Sequence, residues 1–199
     1  MAPPGGILTK LYQLRLCFNE PMAARRSLRL PGYDYKTPGA YFVTIVTYER
    51  RNLFGRVVDY SVKLLIMGVI AQELWLEIPR HFSHARLDAF VIMPNHVHGL
   101  IILTWSPEVG ARHAVPLPRA EAFGKPRPGS LPTIVRSYKS AVTRRINLQR
   151  QTPGHPVWQR NYWEYIVRSK AALARIRDYI AANPYRWRQD PLNPDRWGT

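Results

Sequence analysis

A single cysteine, Cys17, stands among 199 residues, so the chain can build neither an internal disulfide framework nor a cysteine zinc site. Acidic residues are scarce as well: Asp and Glu number 13 against 29 Lys and Arg, a formal net charge of +16. An excess of that size calls for a polyanion, and nucleic acid is the expected partner. No apolar run approaches the roughly 20 residues that span a bilayer, and the N-terminal segment lacks the apolar core of a secretory signal. A Gly-rich phosphate-cradling motif is also missing. These absences predict a soluble cytoplasmic protein with no membrane partner and no small-molecule cofactor. What is present, 46% hydrophobic and 12% aromatic residues, suffices for one core.

The first 30 residues mix Gly and Pro with Lys10, Arg15, Arg25, Arg26 and Arg29 and read as a basic arm. Residues 41–48 are β-branched and aromatic and predict a buried strand. Ile66, Val69, Ile70, Leu74 and Ile78 recur at helical spacing up to Pro79. Residues 87–93 and 96–103 read as two strands joined by a Pro94-Asn95 turn. Pro and Gly crowd residues 105–129, which predicts a long mobile loop. A helix from Pro132 to about Asn147 places Val135, Tyr138, Val142 and Ile146 on one side. A strand near Tyr165 and a last helix over 170–183, ended by Pro184, complete the order. That order predicts an α+β fold, a ferredoxin-like antiparallel sheet with helices packed on one face, over residues 31–187, with 188–199 as a tail.

Residues i and i+2 of a strand share a face, so His96 and His98 would present two imidazoles side by side. Two imidazoles are half of a metal site, although a His-x-His pair also fits satisfied core histidines. On the last helix, Leu173, Ile176 and Ile180 mark the buried stripe, and Tyr179 and Asn183 sit one turn apart on its shoulder. A tyrosine hydroxyl is a credible nucleophile toward a phosphodiester once metal or charge assists it, and an amide oxygen can ligate the metal. The same pattern fits an ordinary amphipathic helix with a half-buried Tyr.

Three blocks in order, Pro94-Asn95-His96-Val97-His98-Gly99, Trp158-Gln159-Arg160-Asn161-Tyr162-Trp163-Glu164 and Tyr179-Ile180-Ala181-Ala182-Asn183-Pro184, resemble the REP-associated tyrosine transposases, relatives of bacterial single-tyrosine transposases. The resemblance spans residues 31–187. It implies a ferredoxin-like core in which His96 and His98, with Val97 between them, bind Mg²⁺ or Mn²⁺. It also makes Tyr179 the nucleophile and Asn183 the third metal ligand. The implied activity is that of a metal-dependent single-stranded DNA endonuclease and strand transferase. Its substrate would be hairpin-forming palindromic DNA, cleaved through a 5′-phosphotyrosine intermediate, in a nucleoid-associated bacterial protein working as a monomer or a homodimer.

Many relatives carry a histidine after the acidic residue of the second block, where Tyr165 follows Glu164 here. Tyr138, Tyr162 and Tyr165 are rival nucleophiles, but none has an Asn, His or carboxylate four positions on. Expected phosphate contacts are Arg25, Arg26, Arg29, Arg50, Arg51, Arg136, Lys139, Arg144, Arg145, Arg160, Arg168, Arg186 and Arg188, and Trp158, Tyr162 and Trp163 are expected to pack on unpaired bases. The alternatives are a non-catalytic nucleic-acid-binding protein on the same fold and a replication-initiator or relaxase-type nickase.

Overall fold

The computed structural model describes residues 30, 32–105 and 127–197. The basic arm with Arg25, Arg26 and Arg29, and positions 106–126 of the expected loop, lie outside the described residues. The elements are β1 (Gly39–Val46), β2 (Gly55–Val58), β3 (Ser61–Leu64), α1 (Ile66–Leu76), α2 (Ile78–His81), β4 (Ala85–Met93), β5 (His96–Leu103), α3 (Leu131–Arg150), β6 (Trp163–Val167) and α4 (Lys170–Ala181). Strands β4-β5-β1-β6 form one antiparallel sheet in that order, and β2-β3 form a separate hairpin. With that hairpin set aside, the chain runs strand, helix, strand, strand, helix, strand, the ferredoxin-like order with the first strand inside.

Side-chain alternation along the central strands divides the apolar residues between two faces. Tyr41, Val43 and Ile45 of β1 and Val97, Ile101 and Leu103 of β5 join Trp75, Leu131, Ile134, Val135, Tyr138, Val142 and Ile146 in the larger core, under α1 and α3. Phe42 and Leu100 point the other way and meet Trp163, Ile176 and Ile180. The helices are therefore not all on one face as expected: α4 covers the reverse side. The cause is Phe42 and Leu100, which give that side apolar surface that only another element could bury.

Local chemistry explains the helix ends. Helix α1 stops at Leu76, and Pro79 sits in the first turn of α2, where a missing N–H costs no hydrogen bond. The buried residues of α1 are Gly68, Ile70, Ala71 and Trp75, whereas Ile66 and Val69 are exposed. The helix is turned because its glycine abuts the Phe54 backbone and the Trp75 ring packs against Gly99 of β5. Ser169 caps α4, its hydroxyl accepting from the Ala172 N–H at 3.1 Å. A bulge in β4 between Leu87 and Phe90 turns Asp88 toward α4, where its carboxylate takes two hydrogen bonds from Arg177, at 2.8 and 2.6 Å. Within the segment expected to form a tail, Asp190, Leu192 and Asn193 are all buried against the domain.

Candidate metal and tyrosine centre

The β5 strand turns His96 and His98 onto the α4 side, where both are buried and their rings lie 4.4 Å apart. Register places Thr44 of β1 opposite His98, and its hydroxyl lies 2.8 Å from His98 Nδ1. Asn95 is the hub at the hairpin turn. Its Nδ2 donates to the Arg50 carbonyl at 3.0 Å and the Leu192 carbonyl at 2.6 Å, so its Oδ1 is the acceptor facing His96 Nδ1 at 2.8 Å. That assignment puts the proton of His96 on Nδ1 and leaves Nε2 as a bare lone pair. Burial pulls the His96 imidazole down to about 4, against the opposing effects of the Asp190 carboxylate and the Asn183 amide. His96 is therefore neutral at pH 7.

Helix α4 brings Tyr179 to the same place. Its hydroxyl lies 3.4 Å from His98 Nε2, and its ring meets Phe42 edge-on, centroids 6.0 Å apart. Asn183 follows the C-cap Ala182 and is 2% exposed. Two polar atoms buried here, His96 Nε2 and Asn183 Oδ1, have no hydrogen-bond partner among the described residues, which is costly unless something else satisfies them. Asp190, which terminates the Pro184–Gln189 turn, completes the group: ligand atoms of His96, His98 and Asp190 lie within 4.8 Å of one another. Two nitrogens and two oxygens in one buried spot fit a divalent cation. Asp190 escaped the sequence reading because it stands in a Pro-rich segment without periodicity, as one of two acids, with Asp195, among the arginines of residues 184–197.

The rival tyrosines are elsewhere. Tyr138 lies in the opposite core, donating to the Ala71 carbonyl at 3.0 Å, and burial drives its hydroxyl pKa far up. Tyr162 packs against that same core, and Tyr165 stacks on Trp163. Trp158 and Trp163 are core residues rather than platforms for bases, 7% and 6% exposed, because each fills apolar space beside the sheet. Tyr162 is half-buried for the same reason.

Of the expected phosphate contacts, Arg51, Arg136, Arg144, Arg145, Arg160, Arg168, Arg186 and Arg188 are exposed and Arg50 is half-buried. Arg51 is paired with Glu49 at 2.5 Å and Arg145 with Glu73 at 3.9 Å. The Lys139 ammonium donates to the Gln159 and Asn161 carbonyls, both at 2.8 Å, and burial lowers it to about 8. Lys139, Arg144, Trp158 and Arg160 line a cavity of about 910 Å³ beside α3, whose lining includes none of His96, His98 and Tyr179.

Comparison with known proteins finds relatives in sequence and in fold. An uncharacterized Haemophilus influenzae protein is 36% identical over 181 residues, covering 89% of this chain and 98% of its own length. A second protein of that organism, named "Putative REP-associated tyrosine transposase", is 27% identical over 154 residues, 77% of this chain and 74% of its own. The solved structure of a REP-associated tyrosine transposase bound to a REP hairpin superposes with a TM-score of 0.50 at 19% identity, covering 83% of this chain and 74% of that one. The chain is similar to the REP-associated tyrosine transposases in sequence and shares their fold. No protein-family model matches it. As in the fold of that transposase, an antiparallel sheet carries helices packed on it, and here the sheet and α4 bring the two histidines and a tyrosine together. Among the described residues, no helix is long and apolar enough to cross a membrane.

Proposed function

We propose that this chain is a REP-associated tyrosine transposase, a divalent-metal-dependent single-stranded DNA endonuclease and strand transferase acting on hairpin-forming palindromic DNA. The observation that carries the reading is the 3.4 Å approach of the Tyr179 hydroxyl to His98 within one chain, beside the buried donor set of His96, Asn183 and Asp190. These four residues other than the nucleophile would hold Mg²⁺ or Mn²⁺, which when bound polarises the scissile phosphate and offsets charge developing on its oxygens. The Thr44 and Asn95 contacts occupy the Nδ1 atoms of His98 and His96, leaving each Nε2 as the atom that would ligate the cation, the role that outer partners of ligating histidines play.

Tyr179 Oη then attacks phosphorus. The bond from Oη to phosphorus forms, the bond from phosphorus to the 3′ oxygen breaks, and the proton lost by the tyrosine ends on the released 3′-hydroxyl. The 5′-phosphotyrosine link conserves the energy of the broken bond, so attack by a 3′-hydroxyl rejoins strands without nucleotide hydrolysis. Phe42 and the α4 stripe of Ile176 and Ile180 hold the tyrosine ring in place beforehand. The proposed substrate is a hairpin, the DNA form carried by the superposed transposase.

Incubating the chain with a labelled hairpin bearing single-stranded flanks and Mn²⁺ should trap a covalent protein–DNA adduct on a denaturing gel, and Tyr179→Phe should abolish it. An adduct that persists in Tyr179→Phe refutes the nucleophile. A wild-type chain that binds the hairpin without ever forming an adduct establishes the binding-module alternative instead.

A further inference from the structure

We infer that the tip of the β2–β3 hairpin and the turn after α4 together form a stacking platform for unpaired DNA bases beside the metal and tyrosine centre, with Tyr60 and Tyr185 as its stacking residues. The inference rests on the proposed function, and it adds a subsite that the three sequence blocks do not contain.

Tyr60 and Tyr185 lie with ring centroids 5.2 Å apart and planes 10° from parallel, yet they remain 63% and 67% exposed. Two large rings stacked on each other in solvent leave flat outer faces uncovered, the surface on which a base stacks. The backbone under Tyr60 is unusual. Asp59 and Tyr60 form the two-residue turn between β2 and β3 with φ of 48° and 59°, the left-handed pair that Asn-Gly ordinarily fills. A bulky side chain there is a genuine outlier, so the turn carries Tyr against its local preference. A use for the ring outside the hairpin accounts for that.

Charge points to the same occupant. Arg56 and Lys63 face each other directly across the hairpin, both exposed, and neither makes an ion pair among the described residues. Like charges in opposed positions destabilise a strand pair, and a phosphate lying over both relieves the repulsion. Arg186 and Arg188 follow Tyr185 on the facing turn, exposed and likewise outside any ion pair among the described residues. Aromatic faces beside cations that make no ion pair among the described residues are the pattern of single-strand binding, whereas an apolar protein partner would leave all four cations unmatched.

The platform is joined to the centre through one short turn. Strand β3 packs against Pro184–Gln189, which starts beside Asn183 and ends at Asp190, and its Trp187 ring lies 6.1 Å from that of His96. A strand entering the centre from this side would stack its last unpaired base on Tyr60 or Tyr185 while its phosphates run over the four cations.

Fluorescence anisotropy with the full chain in a Tyr179→Phe background, which cannot cleave, tests the platform by comparing one hairpin with and without a single-stranded extension. Tyr60→Gly and Tyr185→Ala should each weaken binding of the extended hairpin at least about fivefold and leave the unextended hairpin unchanged. Tyr60→Gly also relieves the left-handed strain, so its melting temperature should hold or rise while its affinity falls, a combination that misfolding cannot produce. Tyr60→Phe and Tyr185→Phe should bind as the parent does. Unchanged affinity of Tyr60→Gly and Tyr185→Ala for the extended hairpin overturns the platform, as does equal loss on both hairpins. Failure of the proposed cleavage is separate, since it shows as a missing adduct in the chain that retains Tyr179.

Discussion

Acidification from about pH 7 to about pH 4 should cost the fold a large share of its stability through His96 alone. The imidazole is 0% exposed, donates from Nδ1 to Asn95, and titrates near 4 in place of its ordinary 6.5. In the unfolded chain it takes up a proton as pH falls through 6.5; in the folded chain it does so only near 4. The neutral-imidazole contribution is thus fully present above 6.5 and is lost across the window down to about 4, below which it changes no further.

At ~1.4 kcal/mol per tenfold in proton affinity, that shift corresponds to about 3 kcal/mol, against a typical total of about 5–15. Asp88, held below its ordinary 3.8 by its hydrogen bonds from Arg177, loses its contribution only at lower pH and does not overlap the window. Urea unfolding midpoints across the range, for the parent and for His96→Gln, measure the effect. The parent should lose stability steeply and the variant should not. A flat parent profile, or an equal decline in His96→Gln, would refute the assignment of a buried neutral His96. Adding Mn²⁺ at about a hundredfold over its dissociation constant should raise parent stability by about 2.7 kcal/mol near pH 7 and lose that effect as protons compete for Nε2.

Other substitutions probe the shell around this imidazole. Asp190→Asn can keep the contact with the Leu192 N–H at 2.8 Å but loses the charge, so Mn²⁺ affinity by calorimetry should fall about 10–100-fold. Thr44→Val removes the partner of His98 Nδ1 and should lower metal affinity by a similar ~10–100-fold while urea unfolding shows a loss of about 1–3 kcal/mol. Gly99→Ala would set a methyl 2.2 Å from the Trp75 ring; displacement of the indole should cost about 1–3 kcal/mol or more and shift its fluorescence to the red. Arg177→Ala releases α4 from Asp88 and should slow adduct formation with little change in melting temperature. An unchanged adduct rate would show that the inner face of α4 alone positions Tyr179.

Periodicity and β-branching in sequence were sufficient to locate β1, β5, α3 and α4, because long elements repeat their pattern over many residues. The pairing of His96 with His98 was legible for the same reason, since alternation along a strand is a local property. The β2–β3 hairpin was not: four-residue strands joined by Asp59-Tyr60 carry neither length nor the usual turn residues. Trp158 and Trp163 illustrate a second limit, as a tryptophan beside arginines reads equally well as base contact or core until its neighbours are placed.

From its own residues the chain determined a basic α+β domain with two imidazoles on one strand face and a tyrosine and an asparagine one helical turn apart. Only the tertiary structure decided that α4 lies on the histidine side of the sheet, that Tyr179 reaches His98 within the same chain, and that Asp190 joins them. The physical reason is that spacing along a chain sets which face a side chain occupies, whereas which faces meet depends on burying apolar surface contributed by distant segments.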